Sequence, residues 1–291
     1  MNYRHAFHAG NFADVVKHTV LARIVNYLKR KDGAFRVIDT HAGAGLYRLD
    51  SDAAAKTDEW RGGIGRLFAA ALPDDAKLLL APYLDAVQAA NQAGNVTRYP
   101  GSPVVIRHLL RKQDRLTAIE KHPAEAAALK ARFAGDFQAR VLELDGWLAF
   151  ASQLPPKERR GLVFTDPPFE EPGEFQRFAE GLAKAQRRWP GGIYAFWYPV
   201  KDRKAVARFR KALAATELDA ALDISLLIRP PSPDERLDGC GLVVVNPPYV
   251  LAGELAVILP VLAGLLAEDG RGGWALDWLR SEDRRAPNGR A

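Results

Sequence analysis

The chain has 291 residues, a formal net charge of +6 and a single cysteine. This length suits one large domain, and 48% hydrophobic with 26% charged residues is typical of a globular protein with a sizeable core. One cysteine excludes an internal disulfide framework and a zinc site built from cysteines, whereas the basic balance favours an anionic partner such as nucleic acid.

The first residues lack the apolar core of a signal peptide, so we expect a cytoplasmic protein. The most apolar stretch runs from Leu255 to Leu266 and contains Pro260. It is too short to span a bilayer, and we expect no membrane contact.

The first predicted elements are a helix over residues 11–31 and a strand over 34–40. Residues 48–99 then contain two helical patterns, 57–71 and 74–93, with no strand between them. We interpret this segment as an inserted helical subdomain between residues 1–47 and 100–291. A further helix is predicted from Pro100 to Lys112, because Pro103 suits a first helical turn.

From there the pattern alternates between strands and helices. Further strands are predicted at 116–120, 140–144, 162–166, 193–198, 221–229 and 242–246, with helices at 123–133, 146–153, 173–188 and 202–216. The strands are apolar on both faces, which predicts an α/β fold whose parallel sheet is covered by helices.

A glycine-rich turn follows the first strand, in the run from Asp39 through His41 and Gly43 to Gly45. Ligands bind at the carboxyl ends of strands in such folds, and glycines allow close approach of the backbone. A dinucleotide site requires a third glycine where Arg48 stands, which weakens a nicotinamide interpretation. A tight turn that simply needs small residues is the structural alternative.

Acidic residues end the next two predicted strands. Glu120 can accept hydrogen bonds from ribose hydroxyls, or be a solvated acid paired with Lys121. Asp145 can accept from an adenine amino group beside Gly146, or cap a helix. Taken in order, the glycine turn and these acids match the subsites needed for S-adenosylmethionine.

Asp166 to Phe169 is the most informative stretch, because it has the sequence Asp-Pro-Pro-Phe directly after an apolar strand. The Asp166 carboxylate and the Pro167 carbonyl can hold the two N–H groups of an exocyclic amine, and Phe169 can stack on the base. Such a base must be flipped out or single-stranded. A second tetrad, Asn-Pro-Pro-Tyr, starts at Asn246; chain order favours Asp166.

Several strings together resemble the bacterial 23S ribosomal RNA adenine-N6 methyltransferases of the RlmJ type. They lie at residues 3–11, 13–19, 39–45, 99–103, 166–168 and 197–200. The resemblance implies a Rossmann-like class I methyltransferase with a mostly parallel seven-stranded sheet, in which 1–47 and 100–291 form the methyltransferase domain and 48–99 a small helical insertion. Phe169 departs from the tyrosine that the family often has.

The resemblance also implies roles for individual residues. Tyr3 and Lys17 would contact the RNA, and Asp166, Pro167 and Phe169 would hold the reacting base. The implied contacts of S-adenosylmethionine are His18, His41, Gly43, Ser102, Glu120, Asp145, Gly146 and Asp166. The implied substrate is adenine 2030 of 23S ribosomal RNA that is free of, or only partly covered by, ribosomal proteins. We also expect the protein to be a monomer.

Other interpretations remain open at this stage. The tetrad suits a DNA adenine or cytosine amino-methyltransferase equally well, and a non-catalytic RNA-binding protein could retain the same fold. His5 and His8 lack the glutamate of the common zinc pattern, so we expect no metal site. Basic clusters, among them one from Lys201 to Lys211, suit contacts to phosphates but are more often solvated helix faces.

Overall fold

A computed structural model describes residues 7–91, 95–170, 173–216, 218, 220–230, 236–280 and 289–290. Eleven strands occur among these residues. They are β1 (Arg36–Asp39), β2 (Leu46–Arg48), β3 (Arg98–Pro100), β4 (Arg115–Glu120), β5 (Ala139–Glu143), β6 (Gly161–Thr165), β7 (Ile193–Val200), β8 (Ala221–Leu227), β9 (Gly239–Val245), β10 (Gly273–Arg280) and β11 (Gly289–Arg290).

Ten α-helices accompany the strands in the same described ranges. They are α1 (Phe12–Leu28), α2 (Asp52–Thr57), α3 (Arg66–Ala69), α4 (Asp74–Ala89), α5 (Ser102–Leu109), α6 (Pro123–Arg132), α7 (Ala149–Ser152), α8 (Glu174–Arg188), α9 (Arg203–Ala214) and α10 (Leu251–Leu266). A π-helical turn spans Arg61–Gly65, and a 3₁₀ turn spans Gly146–Leu148. None of these helices has the length and apolar character needed to cross a bilayer.

The large sheet has the strand order β11-β10-β8-β9-β7-β6-β1-β4-β5. Strands β5, β4, β1, β6 and β7 pair in parallel, so their carboxyl ends lie along one edge. Strand β9 is antiparallel to both β7 and β8, and its last residue in the ladder, Val245, lies opposite Tyr194 near the start of β7. The carboxyl end of β9 therefore lies at the other edge.

The predicted α/β class and all seven predicted strands are confirmed, but the sheet has nine strands rather than seven. Strand β10 pairs antiparallel with β8, and β11 extends that edge. Sequence reasoning missed β10 because it looked for strands that are apolar on both faces. In β10 the apolar Leu276 is followed by the buried acid Asp277 and then by Trp278.

Two hydrophobic layers enclose the sheet, and neighbouring strand residues divide between them. In β1, Val37 belongs to the core that contains buried residues of α1, α4, α5 and α10, whereas Ile38 belongs to the core that contains those of α7, α8 and α9. This is the two-sided burial expected of a covered sheet. The second layer is rich in aromatic rings, with Phe178 stacked on Phe196 at a centroid distance of 4.0 Å.

The helices between residues 52 and 89 contribute to the first layer. Leu80 and Tyr83 of α4 are fully buried in the same core as α1. The predicted helix over 57–71 is instead divided, because Gly63 approaches the N-terminal segment closely. A side chain there would lie 2.2 Å from the Gly10 carbonyl oxygen. The inserted subdomain with boundaries at 48 and 99 stays a prediction.

Burial of α1 should dominate the stability of the first layer. Leu21 is fully buried, so Leu21→Ala is expected to lower the free energy of unfolding by about 2–5 kcal/mol through lost burial and a residual cavity. Leu78 of α4 is 75% exposed, and Leu78→Ala should change it by less than about 0.5 kcal/mol. Urea unfolding of both variants measures the difference; equal losses would contradict this assignment of the core.

Candidate active site

The carboxyl ends of β1, β4, β5 and β6 bring the predicted acids to one edge of the sheet. The loop after β1 bridges its neighbours, because the Thr40 amide donates to the Phe164 carbonyl at 3.0 Å and the Ala42 amide to the Ile119 carbonyl at 2.9 Å. The acids that end these strands are thereby held around one loop, as the rule for parallel sheets predicts.

The glycine turn is built around Glu120. The Gly43 amide donates to Glu120 Oε2 at 2.8 Å, and the His122 amide donates to Oε1 at 2.7 Å. Gly43 and Gly45 have φ angles of 59° and 83°, in the left-handed region that glycine adopts without strain. A side chain at Gly43 would also lie 2.1 Å from the Tyr47 hydroxyl. Both glycines are therefore structural requirements of the turn, and the turn fixes the Glu120 carboxylate.

Asp39 is a fully buried carboxylate at the end of β1. The Ser102 hydroxyl donates to its Oδ2 atom at 2.7 Å, while Oδ1 has no hydrogen-bond partner among the described residues. Burial raises the pKa of Asp39 to about 7, and the nearby charge of Asp166 acts in the same direction. Sequence reasoning gave Asp39 no role, although its position at the strand end was the available signal.

His41 and Gly146 pack against each other next to this carboxylate. His41 Nδ1 lies 2.8 Å from the Thr40 hydroxyl, and burial lowers the pKa of His41 to about 4, so its ring is neutral near pH 7. A side chain at Gly146 would lie 2.0 Å from the Thr40 carbonyl oxygen and 2.9 Å from His41 Cε1. Only glycine allows the two loops to approach this closely.

Asp145 caps the 3₁₀ turn, since its Oδ1 atom accepts from the Trp147 amide at 3.0 Å. Lys121 donates to Oδ2 at 2.9 Å. Burial works against ionisation of Asp145, but the bonds from Lys121 and Trp147 outweigh it and lower the pKa. Asp145 therefore acts as the helix cap that the sequence offered as an alternative. Its carboxylate nevertheless remains partly exposed.

The Asp166 tetrad lies at the end of β6 beside α1. Asp166 forms an ion pair with Lys17, whose Nζ atom lies 2.7 Å from Asp14 Oδ1 and 5.7 Å from the centre of the Trp197 ring. The Asp166 side chain is 14% exposed, against 5% for Lys17. A buried cation thus orients a carboxylate that still reaches the surface.

Phe169 follows with a φ of 52°, in the left-handed region that costs a residue with a side chain about 1–2 kcal/mol. Its ring lies 5.1 Å from that of Phe175 and 6.0 Å from that of Trp197. Pro167 is buried. The strained turn therefore places a partly buried aromatic ring three residues after Asp166, in contact with Trp197, and such strain is often found at functional sites.

His18 is placed differently from the acids. Its Nδ1 atom lies 2.7 Å from the Tyr99 hydroxyl, which in turn contacts the Tyr83 hydroxyl at 2.9 Å. The ring stacks on Tyr99 inside the packing of α1, β3 and α4, and His18 is 1% exposed. Its predicted role in cofactor binding stays a prediction. Tyr3, the other predicted contact outside the acid cluster, lies outside the described residues.

Comparison with known proteins identifies the family. Residues 32–280 match the model of the RsmJ family, described as "Ribosomal RNA large subunit methyltransferase D, RlmJ". The chain belongs to this family. It is 40% identical to the ribosomal RNA large subunit methyltransferases J of Escherichia coli and Haemophilus influenzae, over 97% of this chain and 100% of each relative.

The fold agrees with a solved structure as well. A crystal structure of a Legionella pneumophila protein superposes with a TM-score of 0.85 at 32% identity, covering 93% of this chain and 98% of the other. This RlmJ-family chain is therefore a methyltransferase by family, with the fold expected from its sequence.

The second tetrad has a different place in this RlmJ-family fold. Because β9 runs against β7, Asn246 lies at the edge opposite Asp166. Its side-chain amide donates to the carbonyls of Pro190 at 2.7 Å and Gly192 at 2.8 Å. Both donor hydrogens thus hold the loop before β7 in place.

Removal of this amide should affect stability. Asn246→Ala leaves the Pro190 and Gly192 carbonyls without their donors, and we expect the free energy of unfolding to fall by about 1–3 kcal/mol. The matched control is Tyr249→Ala in the same tetrad, whose side chain is 79% exposed. It should cost less than about 1 kcal/mol. Chemical denaturation of both variants checks this, and an unchanged Asn246→Ala midpoint would contradict it.

Proposed function

We propose that this chain transfers the methyl group of S-adenosylmethionine to the exocyclic N6 atom of an adenine in 23S ribosomal RNA. The family supports methyl transfer, and the names of both relatives refer to the RNA of the large ribosomal subunit. The observation that carries the adenine-amine assignment is the Asp166 carboxylate, which is oriented by Lys17. The Trp197 ring lies 5.7 Å from Lys17 Nζ and 6.0 Å from the Phe169 ring.

The residues around the glycine turn suit this cofactor. Asp39 Oδ1 is a buried acceptor with no donor among the described residues, as a site for a cationic amino group requires. The Glu120 carboxylate, fixed by two backbone amides, suits a pair of ribose hydroxyls, and Asp145 with Gly146 suits an adenine ring. His18, His41, Gly43 and Ser102 complete the proposed site. When bound, the cofactor supplies a methyl group on a positively charged sulfur.

The acceptor amine is the group that the Asp166 tetrad would hold. Asp166 Oδ2 is occupied by Lys17, while Oδ1 accepts no hydrogen bond from the described part of the chain. An adenine N–H would donate to Oδ1 and the other N–H to the Pro167 carbonyl, which would leave the nitrogen lone pair free to take the methyl group as the bond from that group to sulfur breaks. The nitrogen then loses one proton, for which Asp166 is the nearest base.

Substrate RNA must present this adenine unstacked, because the tetrad can grip an amine only outside a helix. Phe169 replaces the lost stacking with its own ring. We propose that Tyr3 and Lys17 contact the RNA, that the substrate is 23S RNA free of or only partly covered by ribosomal proteins, and that a monomer in the cytoplasm carries out the reaction.

Replacing the clamp carboxylate should remove transfer without removing cofactor binding. With Asp166→Ala we expect kcat for methylation of protein-free 23S RNA to fall at least about 100-fold, because both the orientation of the amine and its base are lost. Transfer of tritium from labelled S-adenosylmethionine measures the rate, and calorimetry measures cofactor affinity.

Asn246→Ala is the matched control, since it alters the same kind of tetrad at the opposite edge. It should retain transfer at temperatures where it is folded. An active Asp166→Ala together with an inactive Asn246→Ala would reverse the assignment. If the wild-type protein methylates duplex DNA better than 23S RNA, RNA is not the substrate and the proposal is refuted.

Cofactor binding should release a proton in mildly acidic solution. The pKa of Asp39 is raised to about 7, so at pH 6 the side chain is largely protonated; a cationic amino group bound to Oδ1 would ionise it. We expect release of up to about one proton per site at pH 6, a cofactor affinity that rises from pH 6 to pH 8, and little release above pH 8.

Calorimetry in two buffers of different ionisation enthalpy measures this release. Asp39→Asn is the control and should abolish it. The same raised pKa means that the folded state holds this proton more tightly than the unfolded state. In the cofactor-free protein, the contribution of Asp39 to the free energy of unfolding therefore falls as the pH rises from about 4 to about 7. Identical binding enthalpies in both buffers at pH 6 would contradict the role of Asp39.

A further inference from the structure

The positive charge of this chain is concentrated in one short segment. Residues 174–214, from α8 to α9, contain ten lysines and arginines and three acidic residues, a net charge of +7. The whole chain carries +6, so the remaining residues together are close to neutral. A chain that binds anionic polymers only through a diffuse charge would show no such asymmetry.

Helices α8 and α9 lie side by side on one face of the sheet. Phe175 and Phe178 of α8 pack against Phe209 of α9, at centroid distances of 4.5 and 6.0 Å. Their apolar faces are thus directed to the sheet, and all of their basic residues except Arg210 are exposed to solvent. The exposed basic residues are Arg177, Lys184, Arg187, Arg188, Lys201, Arg203, Lys204, Arg208 and Lys211, which we call the basic layer.

On α9 the cations form a stripe. Lys204, Arg208 and Lys211 are spaced by four and three residues, which places them on the same side of a helix. Asp202 lies 3.9 Å from Arg208 at an exposed position, a contact that contributes little. Lys204 and Lys211 have no ion pair with any residue that the structure describes.

Arg210, on the same helix, has a structural role and thereby differs from the three residues of the stripe. It points into the cleft between α9 and strands β8 and β10, where its guanidinium bonds to Asp223 at 3.1 Å and to Asp277 at 2.6 Å. Two buried carboxylates thus neutralise Arg210. Among the residues that the structure describes, the stripe on the outer side of α9 has no comparable buried acids, and its charge is available to an external anion.

The basic layer also starts at the correct edge of the sheet. Helix α8 follows the Asp166 tetrad, and α9 follows the end of β7, so both helices begin at the edge that carries the candidate clamp. Helix α9 has twelve residues and spans about 18 Å. A nucleic-acid backbone lying along it would therefore reach the edge of the sheet that carries the tetrad.

We propose that the basic layer, and the α9 stripe in particular, is the docking surface for the phosphate backbone of the RNA that flanks the target adenine. This inference rests on the proposed function. Phosphate contacts fix the position of the RNA without selecting its sequence, whereas the Asp166 tetrad selects the base. The stripe therefore determines affinity for RNA and leaves the chemical step unchanged.

The test is the triple variant Lys204→Ala, Arg208→Ala and Lys211→Ala. Alanine is the most favourable helix residue, so α9 should remain folded. Loss of three phosphate contacts should weaken binding to an RNA fragment about 10- to 100-fold near 0.1 M salt. It should reduce the slope of log affinity against log salt by about 2. We expect KM for RNA to rise, with unchanged kcat and unchanged cofactor affinity.

A matched control removes three exposed lysines at the opposite edge, Lys31, Lys112 and Lys157, which precede β1, β4 and β6. This Lys31→Ala, Lys112→Ala, Lys157→Ala variant has the same net charge as the α9 variant. Equal losses of RNA affinity in the two variants would overturn the proposal, because net charge alone would then explain them. Unchanged RNA binding in the α9 variant would also overturn it.

Failure of the proposed function has a different signature. RNA binding is measured by fluorescence anisotropy without cofactor, so it does not depend on methyl transfer. A wild-type protein that binds RNA through the α9 stripe but transfers no methyl group would refute the catalytic proposal and retain the docking surface. If the wild-type protein methylates RNA and both triple variants have the same KM for RNA, the docking surface is refuted and the catalytic proposal is retained.

Discussion

The ion pair between Lys17 and Asp166 joins the first helix to the strand that ends in the candidate clamp. Lys17 is 5% exposed, and a buried ammonium is costly unless carboxylates compensate its charge. Asp14 provides a second carboxylate at 2.7 Å and is itself held by the Gly10 amide at the same distance. Without Lys17, Asp14 and Asp166 would face each other as like charges. The orientation of Asp166 is therefore a property of α1 as much as of β6.

Acidic and basic side chains occupy different regions of the molecule. Asp39, Glu120, Asp145 and Asp166 line the edge where the parallel strands end, and the basic layer covers the neighbouring helices. Acids suit a cationic cofactor and an amine, while lysines and arginines suit phosphates.

Strand ends could be located from the sequence because each followed an apolar run, so Glu120, Asp145 and Asp166 were found without a structure. Contacts between segments that are distant in the sequence could not be predicted in this way. The bond from Ser102 to Asp39 joins residues 63 positions apart, and no periodicity reports it. The place of His18 depends on stacking with Tyr99, and β2 and β3 are three-residue strands, too short to show alternation. The requirement for glycine at position 146 is likewise a contact between distant segments, because a side chain there would lie 2.0 Å from the Thr40 carbonyl oxygen.

The two Pro-Pro tetrads show how far a local motif determines its own role. Each has a residue in the left-handed region, but in one it is the aromatic Phe169 at φ 52° and in the other the amide Asn246 at φ 53°. The first geometry leaves a carboxylate at the surface next to a ring. The second turns an amide back onto two carbonyls of its own chain. The direction of β9 then places them at opposite edges of the sheet, since an antiparallel strand delivers its last residue to the edge away from the glycine turn. The chemistry of a tetrad thus depends on the strand that carries it, and strand direction is set by the pairing of the whole sheet.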